Sequence, residues 1–170
     1  MRFPPVLPSL VLLVYLLGGI YLFIEIRGEQ VDGLLLFSAV KGRVLDHGQP
    51  VVGAQIERET SWNMEDEPRR EYTSTDSEGR FTFPEMRGSA RFGLMHRYFH
   101  IPVVLESLFL AGDPKPTMLY TYGRSTYQAL EETGFPEIHL SCDLKAQRTE
   151  YEFFSQLDCP VSRHPDRSTP

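Results

Sequence analysis

Hydrophobic residues form one long block at the N-terminus and alternate with polar residues after it. Residues 3–24 carry no charge. A helix over this stretch would be about 33 Å long at ~1.5 Å per residue, enough to cross a hydrocarbon core of ~30 Å. The sequence therefore predicts a membrane-spanning helix over residues 1–24. A cleaved signal peptide is the alternative, but its apolar core is shorter, about 7–15 residues, and ends in small residues that are missing here.

From residue 34 onward the pattern predicts strands. Val40, Gly42 and Val44 alternate with Lys41 and Arg43, so one face of this strand is buried and the other is wet. Further strands are expected between turn clusters rich in Gly, Pro and Asp. The predicted strands are 34–45, 51–59, 70–75, 80–83, 101–111, 119–127 and 138–144.

Between these strands the pattern is less regular. Residues 61–70 are expected to form a long polar loop, and residues 91–99 fit either a helical turn or a strand. The prediction is an all-β protein with one N-terminal transmembrane helix. It comprises a linker at 25–33, a β-sandwich at 34–160 and a flexible tail at 161–170.

The charge distribution bears on location and partners. Of the 17 Lys and Arg residues only Arg2 precedes residue 25, whereas all 23 Asp and Glu residues follow it, so the remainder has a formal charge of −7. Such an acidic domain is unsuited to general nucleic-acid binding, which needs a basic surface. The positive N-terminal flank should stay in the cytoplasm. We therefore expect a single-pass inner-membrane protein with its C-terminal domain in the periplasm.

Two cysteines, Cys142 and Cys159, agree with this compartment. An even number of cysteines in an oxidising compartment predicts a disulfide. Two unpaired buried thiols are the alternative. Their spacing does not match a metal site, because no Cys-x-x-Cys or Cys/His cluster accompanies them.

Three segments in order carry a family resemblance. Val40 to Asp46, then Gly48 to Ile56, then Thr75 to Phe83 resemble the carboxypeptidase regulatory-like domain. That family is a transthyretin-like β-sandwich, so the resemblance implies two packed antiparallel sheets. The peptidase catalytic domain that often accompanies this module is absent.

Features nearer the C-terminus indicate a more specific group of proteins. A late strand with Leu140, Cys142 and Leu144, followed by a second cysteine, is similar to small, mostly uncharacterised envelope proteins of Gram-negative bacteria. Such proteins are often encoded beside secreted antibacterial effectors in type VI secretion clusters. The resemblance implies an immunity protein whose partner is a toxic effector acting in the periplasm. An envelope carbohydrate- or lipid-binding module is the alternative, and the segment 113–127 departs from the family pattern.

The residues themselves indicate no catalytic, cofactor or metal site. His96 and His100 are four apart, but the zinc-protease motif needs Glu where Arg97 stands, so surface or structural histidines are expected. Residues 65–67 are expected to be a solvated acidic loop rather than a Ca²⁺ site. Residues 122–125 are similar to the Tyr-Arg-Gly-Ser ending of hydroxyisourate hydrolases, but in another order and position. A hydrolase is therefore only the third hypothesis.

Aromatic, Met and acidic residues are the candidates for partner binding, because aromatics and Met are favoured in interface cores. Core packing is the alternative for each aromatic. The candidate residues are Trp62, Met64, Glu65, Asp66, Tyr98, Tyr120 and Tyr122.

Overall fold

A computed structural model of the chain describes residues 6–93, 98–112 and 115–162. The helix α1 spans Val6–Arg27. The strands of the described residues are, in chain order, β1 (Glu29–Phe37), β2 (Ala39–Asp46), β3 (Gln49–Pro50), β4 (Gln55–Trp62), β5 (Arg69–Ser74), β6 (Arg80–Phe83), β7 (Met86–Phe92), β8 (Val104–Leu110), β9 (Thr117–Arg124), β10 (Glu137–Asp143), β11 (Arg148–Glu150), β12 (Ser155–Leu157) and β13 (Val161–Ser162).

The described residues form two compact units. The smaller one, which we call the α1 unit, contains the residues up to Asp32 together with those between Ser89 and His100. The larger one, the sandwich unit, contains residues 33–88 and those from Ile101 onward. β1 and β7 pair with each other and run through both units.

The helix α1 corresponds to the predicted N-terminal span over residues 1–24, of which 1–5 lie outside the described part. It continues to Arg27 because the first helix-breaking residue after the apolar block is Gly28. β1 begins at Glu29, so the predicted linker 25–33 contains helix and strand. Within the described part of the chain, no helix meets the length and apolarity that crossing a bilayer requires.

Two sheets make up the sandwich unit. In the described residues, one sheet has the strand order β11-β12-β9-β8-β4-β5. The other has the order β13-β10-β2-β3, and β6 also pairs with β2. Most neighbours are antiparallel, but β10 pairs with β2 and β12 with β9 in parallel. The predicted all-β, sandwich-like architecture is confirmed.

The core lies on the inward faces of these strands. Val40 and Val44 of β2 are buried while Lys41 is exposed, as the alternation predicts. Gly42 is required here because an added Cβ would lie 2.2 Å from the ring of Phe81 on the neighbouring strand β6. Phe81 and Phe83 both point inward, with ring centroids 6.3 Å apart. Close packing of this kind leaves little room for larger side chains.

The turn between β5 and β6 also follows the prediction. Asp76 accepts hydrogen bonds from the backbone N–H of Glu78 and of Arg80, each 2.8 Å long. These donors favour the ionised form and lower the pKa of the Asp76 carboxyl. Gly79 has a φ of 75°, which a side chain at this position would strain.

Other boundaries differ from the sequence prediction. The strand predicted at 51–59 begins only at Gln55, because Gly53 adopts a φ of 72° and the chain bends there. The loop predicted at 61–70 is shorter, since β4 reaches Trp62 and β5 begins at Arg69. The stretch 91–99 fitted either a helical turn or a strand, and its first two residues belong to the strand β7. Residues 161–162 of the predicted flexible tail form β13, which pairs with β10.

Cys142 and Cys159 form a disulfide, with Cα atoms 4.7 Å apart, which confirms the predicted pairing. Between the two cysteines the chain leaves β10 and builds the hairpin β11–β12 on the opposite sheet. Directly after Cys159 it pairs with β10 as β13. β12 pairs with its neighbour β9 at two positions, Ser155 with Thr117 and Gln156 with Met118. The disulfide therefore closes an excursion between sheets that has few backbone hydrogen bonds of its own.

Replacing both cysteines, Cys142→Ala with Cys159→Ala, should lower the free energy of unfolding by about 3 kcal/mol, since the unfolded chain regains loop entropy. Guanidinium unfolding of the domain measures this. Reduced wild-type protein is the matched control and should lose a similar amount, while reductant should not affect the double variant. Equal midpoints for oxidised wild type and double variant would contradict the prediction.

Candidate functional site

Three charged side chains lie together in the interior of the sandwich unit. Glu106 is on β8, Arg124 is the last residue of β9, and Glu132 lies in the connection that follows. Arg124 Nε is 3.0 Å from Glu106 Oε1, and Arg124 Nη2 is 2.6 Å from Glu132 Oε1. The side chains of all three are fully buried. Charges this far from water are stable only when they are paired.

Strand alternation places the first two members of this cluster. Val104, Glu106 and Leu108 share the inward face of β8, so one carboxylate stands in an otherwise apolar row. In the antiparallel register Val104 lies opposite Arg124, and Glu106 lies opposite Tyr122. Arg124 and Glu106 are thus diagonal neighbours on one face, within reach of a long guanidinium side chain.

The backbone around the cluster is tied to it by hydrogen bonds. Arg124 Nη1 donates to the carbonyl oxygens of Leu35, at 3.2 Å, and of Gln128, at 3.3 Å. Glu132 accepts from the backbone N–H of Ser38 at 3.1 Å and from the Ser38 hydroxyl. The cluster therefore joins the end of β1, the strands β8 and β9, and the connection after β9.

Two carboxyl groups share one guanidinium in this cluster. Burial, and next to it the neighbouring Glu132, raises the pKa of Glu106 to about 10. A pKa raised this far favours the protonated form of Glu106 at neutral pH. Arg124 Nε lies 3.0 Å from Glu106 Oε1, but neither Glu106 oxygen forms a well-aligned hydrogen bond with a described residue. As a carboxylic acid Glu106 can donate a hydrogen bond to Glu132.

Tyr120 lies beside the cluster on the same strand as Arg124. Its hydroxyl is buried and has no hydrogen-bond partner among the described residues. Burial and then the charges of Glu106 and Glu132 raise the pKa of Tyr120 above its usual range. Its ring packs against Phe37 of β1, with centroids 6.3 Å apart.

An open cleft borders the cluster. Its volume is about 370 Å³, and its lining combines aromatic, aliphatic and polar side chains from β9, from the connection before β10 and from β13. The lining residues are Tyr120, Tyr122, Glu132, Thr133, Phe135, Val161 and Ser162. The Tyr122 hydroxyl donates to the carbonyl oxygen of Glu131 at 3.2 Å, which fixes the ring in the wall of the cleft. Glu132 belongs to both the cleft and the buried cluster, so the cluster holds one wall of the cleft in place.

A second buried cation, Arg58 of β4, lies in the core. Its guanidinium donates to the carbonyl oxygen of Pro84 at 2.5 Å and pairs with Glu71. It also lies over the rings of Phe37 and Phe83, at 5.3 and 4.8 Å from their centroids. Burial lowers the pKa of this guanidinium. Arg58 joins strands through the core and does not line the cleft.

The structure brings together only two of the candidate binding residues, Tyr120 and Tyr122, which both line the cleft. Trp62 is 3% exposed, and its Nε1 donates to the Tyr127 hydroxyl at 3.0 Å, so its ring is part of the core.

The remaining candidates lie apart from the cleft. Met64 and Glu65 are half-buried, and Glu65 pairs with Arg69. Asp66 is exposed in the same loop. Tyr98 is 74% exposed in the α1 unit.

The histidine pair considered for a metal is not fully described, because His96 lies outside the described residues. Among those residues, no group of three or more His, Cys, Asp or Glu side chains is placed to hold a metal ion.

Sequence reasoning did not find Glu106, Arg124 or Glu132. One signal was present, since Glu106 interrupts the apolar run between Val103 and Leu110. A single acid in a predicted core strand indicates a buried partner of opposite charge. The partner itself could not be chosen from sequence, because many basic residues are available and only the strand register places Arg124 beside it.

Substitution Glu106→Gln tests the protonation state of the cluster. A raised pKa in the folded state means that the folded protein holds a proton that the unfolded chain releases, so this group makes stability fall as pH rises from about 5 to about 9. Gln mimics the neutral acid and cannot titrate. The variant should be at least as stable as wild type at neutral pH. Its free energy of unfolding should lack the decrease with rising pH that Glu106 causes. Urea unfolding across that pH range measures this.

Glu132→Gln is the matched control for this measurement. It removes the charge that neutralises Arg124 and should destabilise the domain by about 3 kcal/mol. If Glu106→Gln were as destabilising as Glu132→Gln at neutral pH, Glu106 would be ionised in the folded protein.

Comparison with known proteins gives one match. Residues 40–147 match a family described as a domain of unknown function, DUF6795, and the match covers β2 to β10, including the cluster and most of the cleft. No curated protein and no solved structure matches the chain. The resemblance to the carboxypeptidase regulatory-like domain stays a prediction. Because the matched segment covers more than half of the chain, the protein belongs to the DUF6795 family.

Proposed function

We propose that this protein is a non-enzymatic binding protein of the bacterial envelope whose sandwich unit captures a protein partner in the cleft beside β9. The observation that carries the proposal is the cleft itself. It places Tyr120, Tyr122 and Phe135 next to polar groups, and aromatic side chains with a polar rim are characteristic of protein-binding surfaces. Its volume of about 370 Å³ suits a side chain or a short segment of a partner.

The buried cluster supports this role because it makes the cleft rigid. Arg124 and Glu132 fix the connection after β9 against β1 and β8. A preorganised wall loses little conformational entropy when a partner binds, which favours affinity. Glu106 and Arg124 have fully buried side chains, so their contribution is to hold the cleft and not to meet a substrate.

The disulfide and the N-terminus support a periplasmic location at the inner membrane. A disulfide persists in the periplasm and is rare in a reducing cytosol. Every residue of α1 from Ser9 to Ile24 is exposed, and none is charged. The uncharged stretch of the sequence begins earlier, at residue 3. A helix that is apolar on all sides needs a nonpolar environment, and lipid supplies it.

The most concrete form of the proposal is an immunity protein that blocks a toxic effector acting in the periplasm. Attachment to the membrane would hold the inhibitor where such a toxin acts and raise its local concentration. The formal charge of −7 over residues 25–170 would speed association with a basic effector. The resemblance to envelope proteins encoded beside secreted effectors points to the same partner class.

A carbohydrate- or lipid-binding module is the second candidate, and the two cleft tyrosines are the observation that favours it. Sugars stack on open aromatic faces, yet Tyr120 packs its ring against Phe37 and buries its hydroxyl. This leaves little free aromatic platform and favours the protein partner.

Tyr122→Ala tests the proposal in a cell that is attacked by sibling cells. We expect it to abolish protection and to weaken binding of residues 25–170 to the product of the adjacent gene by at least about tenfold, since loss of an interface aromatic costs about 2 kcal/mol or more. Calorimetry with purified proteins measures the affinity.

Tyr72→Ala is the matched control, because Tyr72 is an exposed tyrosine on β5, at the opposite end of the same sheet. It should leave protection and binding unchanged, and thermal unfolding should show that both variants fold. Full survival of a strain lacking the gene, together with no binding of the neighbouring product, would refute the immunity function. Binding to a glycan array that Tyr122→Ala removes would instead support the second candidate.

A further inference from the structure

The C-terminal end of α1 is packed directly against the end of β7. Gly28 follows the helix, and a Cβ added there would lie 2.6 Å from the carbonyl carbon of Phe92 and 2.7 Å from the nitrogen of Gly93. Only glycine allows two backbones to approach this closely. The residue after the C-terminal end of α1 therefore lies directly against the backbone at the end of β7.

Among the described residues, the α1 unit carries four aromatic side chains at and after the end of β7. The ring centroid of His100 lies 5.1 Å from that of Phe92. Tyr98 is 74% exposed and Phe99 is 71% exposed, and they directly precede His100 in the chain. We call Phe92, Tyr98, Phe99 and His100 the aromatic collar.

The C-terminal end of α1 also combines aromatic, aliphatic and charged side chains. The Arg27 guanidinium lies over the ring of Phe23, 4.5 Å from its centroid. An open, mostly apolar cleft of about 320 Å³ lies between the last turn of α1 and the end of β7, lined by Phe23, Ile24, Arg27, Gly28, Glu29, Phe92 and Gly93. The apolar surface of α1 thus continues through this cleft to Phe92 of the collar. The charged residues Arg27 and Glu29 line the same cleft.

An apolar helix followed by aromatic and charged side chains resembles the sequence of layers from the hydrocarbon core of a bilayer to its headgroups. Tyr and other amphipathic aromatic side chains are enriched where hydrocarbon meets headgroups, and Arg extends its charged end toward water there. A soluble protein partner would not require an apolar surface around the whole helix, whereas lipid does. The continuity of the collar with the exposed apolar helix therefore selects lipid as the occupant.

We propose that the aromatic collar lies in the interfacial layer of the bilayer and fixes the depth at which α1 enters the membrane. This inference rests on the proposed membrane attachment. It assigns lipid contact to residues 92 and 98–100, which lie outside the apolar N-terminal block of the sequence.

Fluorescence quenching by lipid tests the collar. The full-length protein is reconstituted into phosphatidylcholine–phosphatidylglycerol vesicles with and without dibrominated phosphatidylcholine. Three single substitutions add a tryptophan at exposed positions: Phe99→Trp in the collar, Leu16→Trp in the middle of α1, and Phe153→Trp, 76% exposed in the sandwich unit. The signal of the native Trp62 is subtracted from each with wild-type protein.

We expect brominated lipid to quench Phe99→Trp and Leu16→Trp and to leave Phe153→Trp unchanged, with emission of Phe99→Trp shifted to shorter wavelength. Quenching of Leu16→Trp without Phe99→Trp would overturn the collar and leave the membrane attachment standing. Equal quenching at Phe99 and Phe153 would also overturn it, because the contact would not be specific to the collar. Absence of quenching at all three positions, with no protein floating with the vesicles, would overturn both proposals.

Discussion

A single buried arginine organises the interior of the sandwich unit. Arg124 carries a charge that cannot reach water, and it lies beside two buried carboxyl groups, Glu132 and Glu106, of which Glu106 has a raised pKa. Removing a charged group from water is unfavourable by several kcal/mol unless its partners are held in place. The elements that supply those partners therefore have to be in position for the fold to be stable, which links β1, β8, β9 and the connection to β10.

The cleft follows from this constraint. Glu132 pairs with Arg124 and accepts a hydrogen bond from Ser38 in the interior. The connection between β9 and β10, which carries Glu132, therefore forms one wall of the cleft. The opposite side is formed by β13, which the Cys142–Cys159 disulfide holds next to β10. One covalent link and one buried ion pair thus fix the two sides of the same surface, and such a surface binds a partner with little rearrangement.

The two compact units divide the functional roles. The sandwich unit contains the cleft beside β9, and the α1 unit contains an exposed apolar helix whose C-terminal end lies against Phe92. In the proposed function, the first surface would bind a protein partner and the second would contact lipid. A binding protein whose partner acts at a membrane benefits from both, because attachment restricts the search to that surface.

The local pattern was enough to predict the β class, the inward faces of β2 and β6, the tight turn at Asp76 to Gly79 and the pairing of the cysteines. These features depend on period-two alternation, on positive φ at glycine and on the small number of possible cysteine partners, which are all visible along the chain. The position of Trp62 in the core, the strand β7 and the short strands β11, β12 and β13 were not visible, because neighbouring strands and not local propensity stabilise them. The charged cluster depends still more on tertiary structure. Glu106, Arg124 and Glu132 are ordinary surface residue types in sequence, and only the register of β8 with β9 and the packing of β1 over them removes water and makes their pairing obligatory.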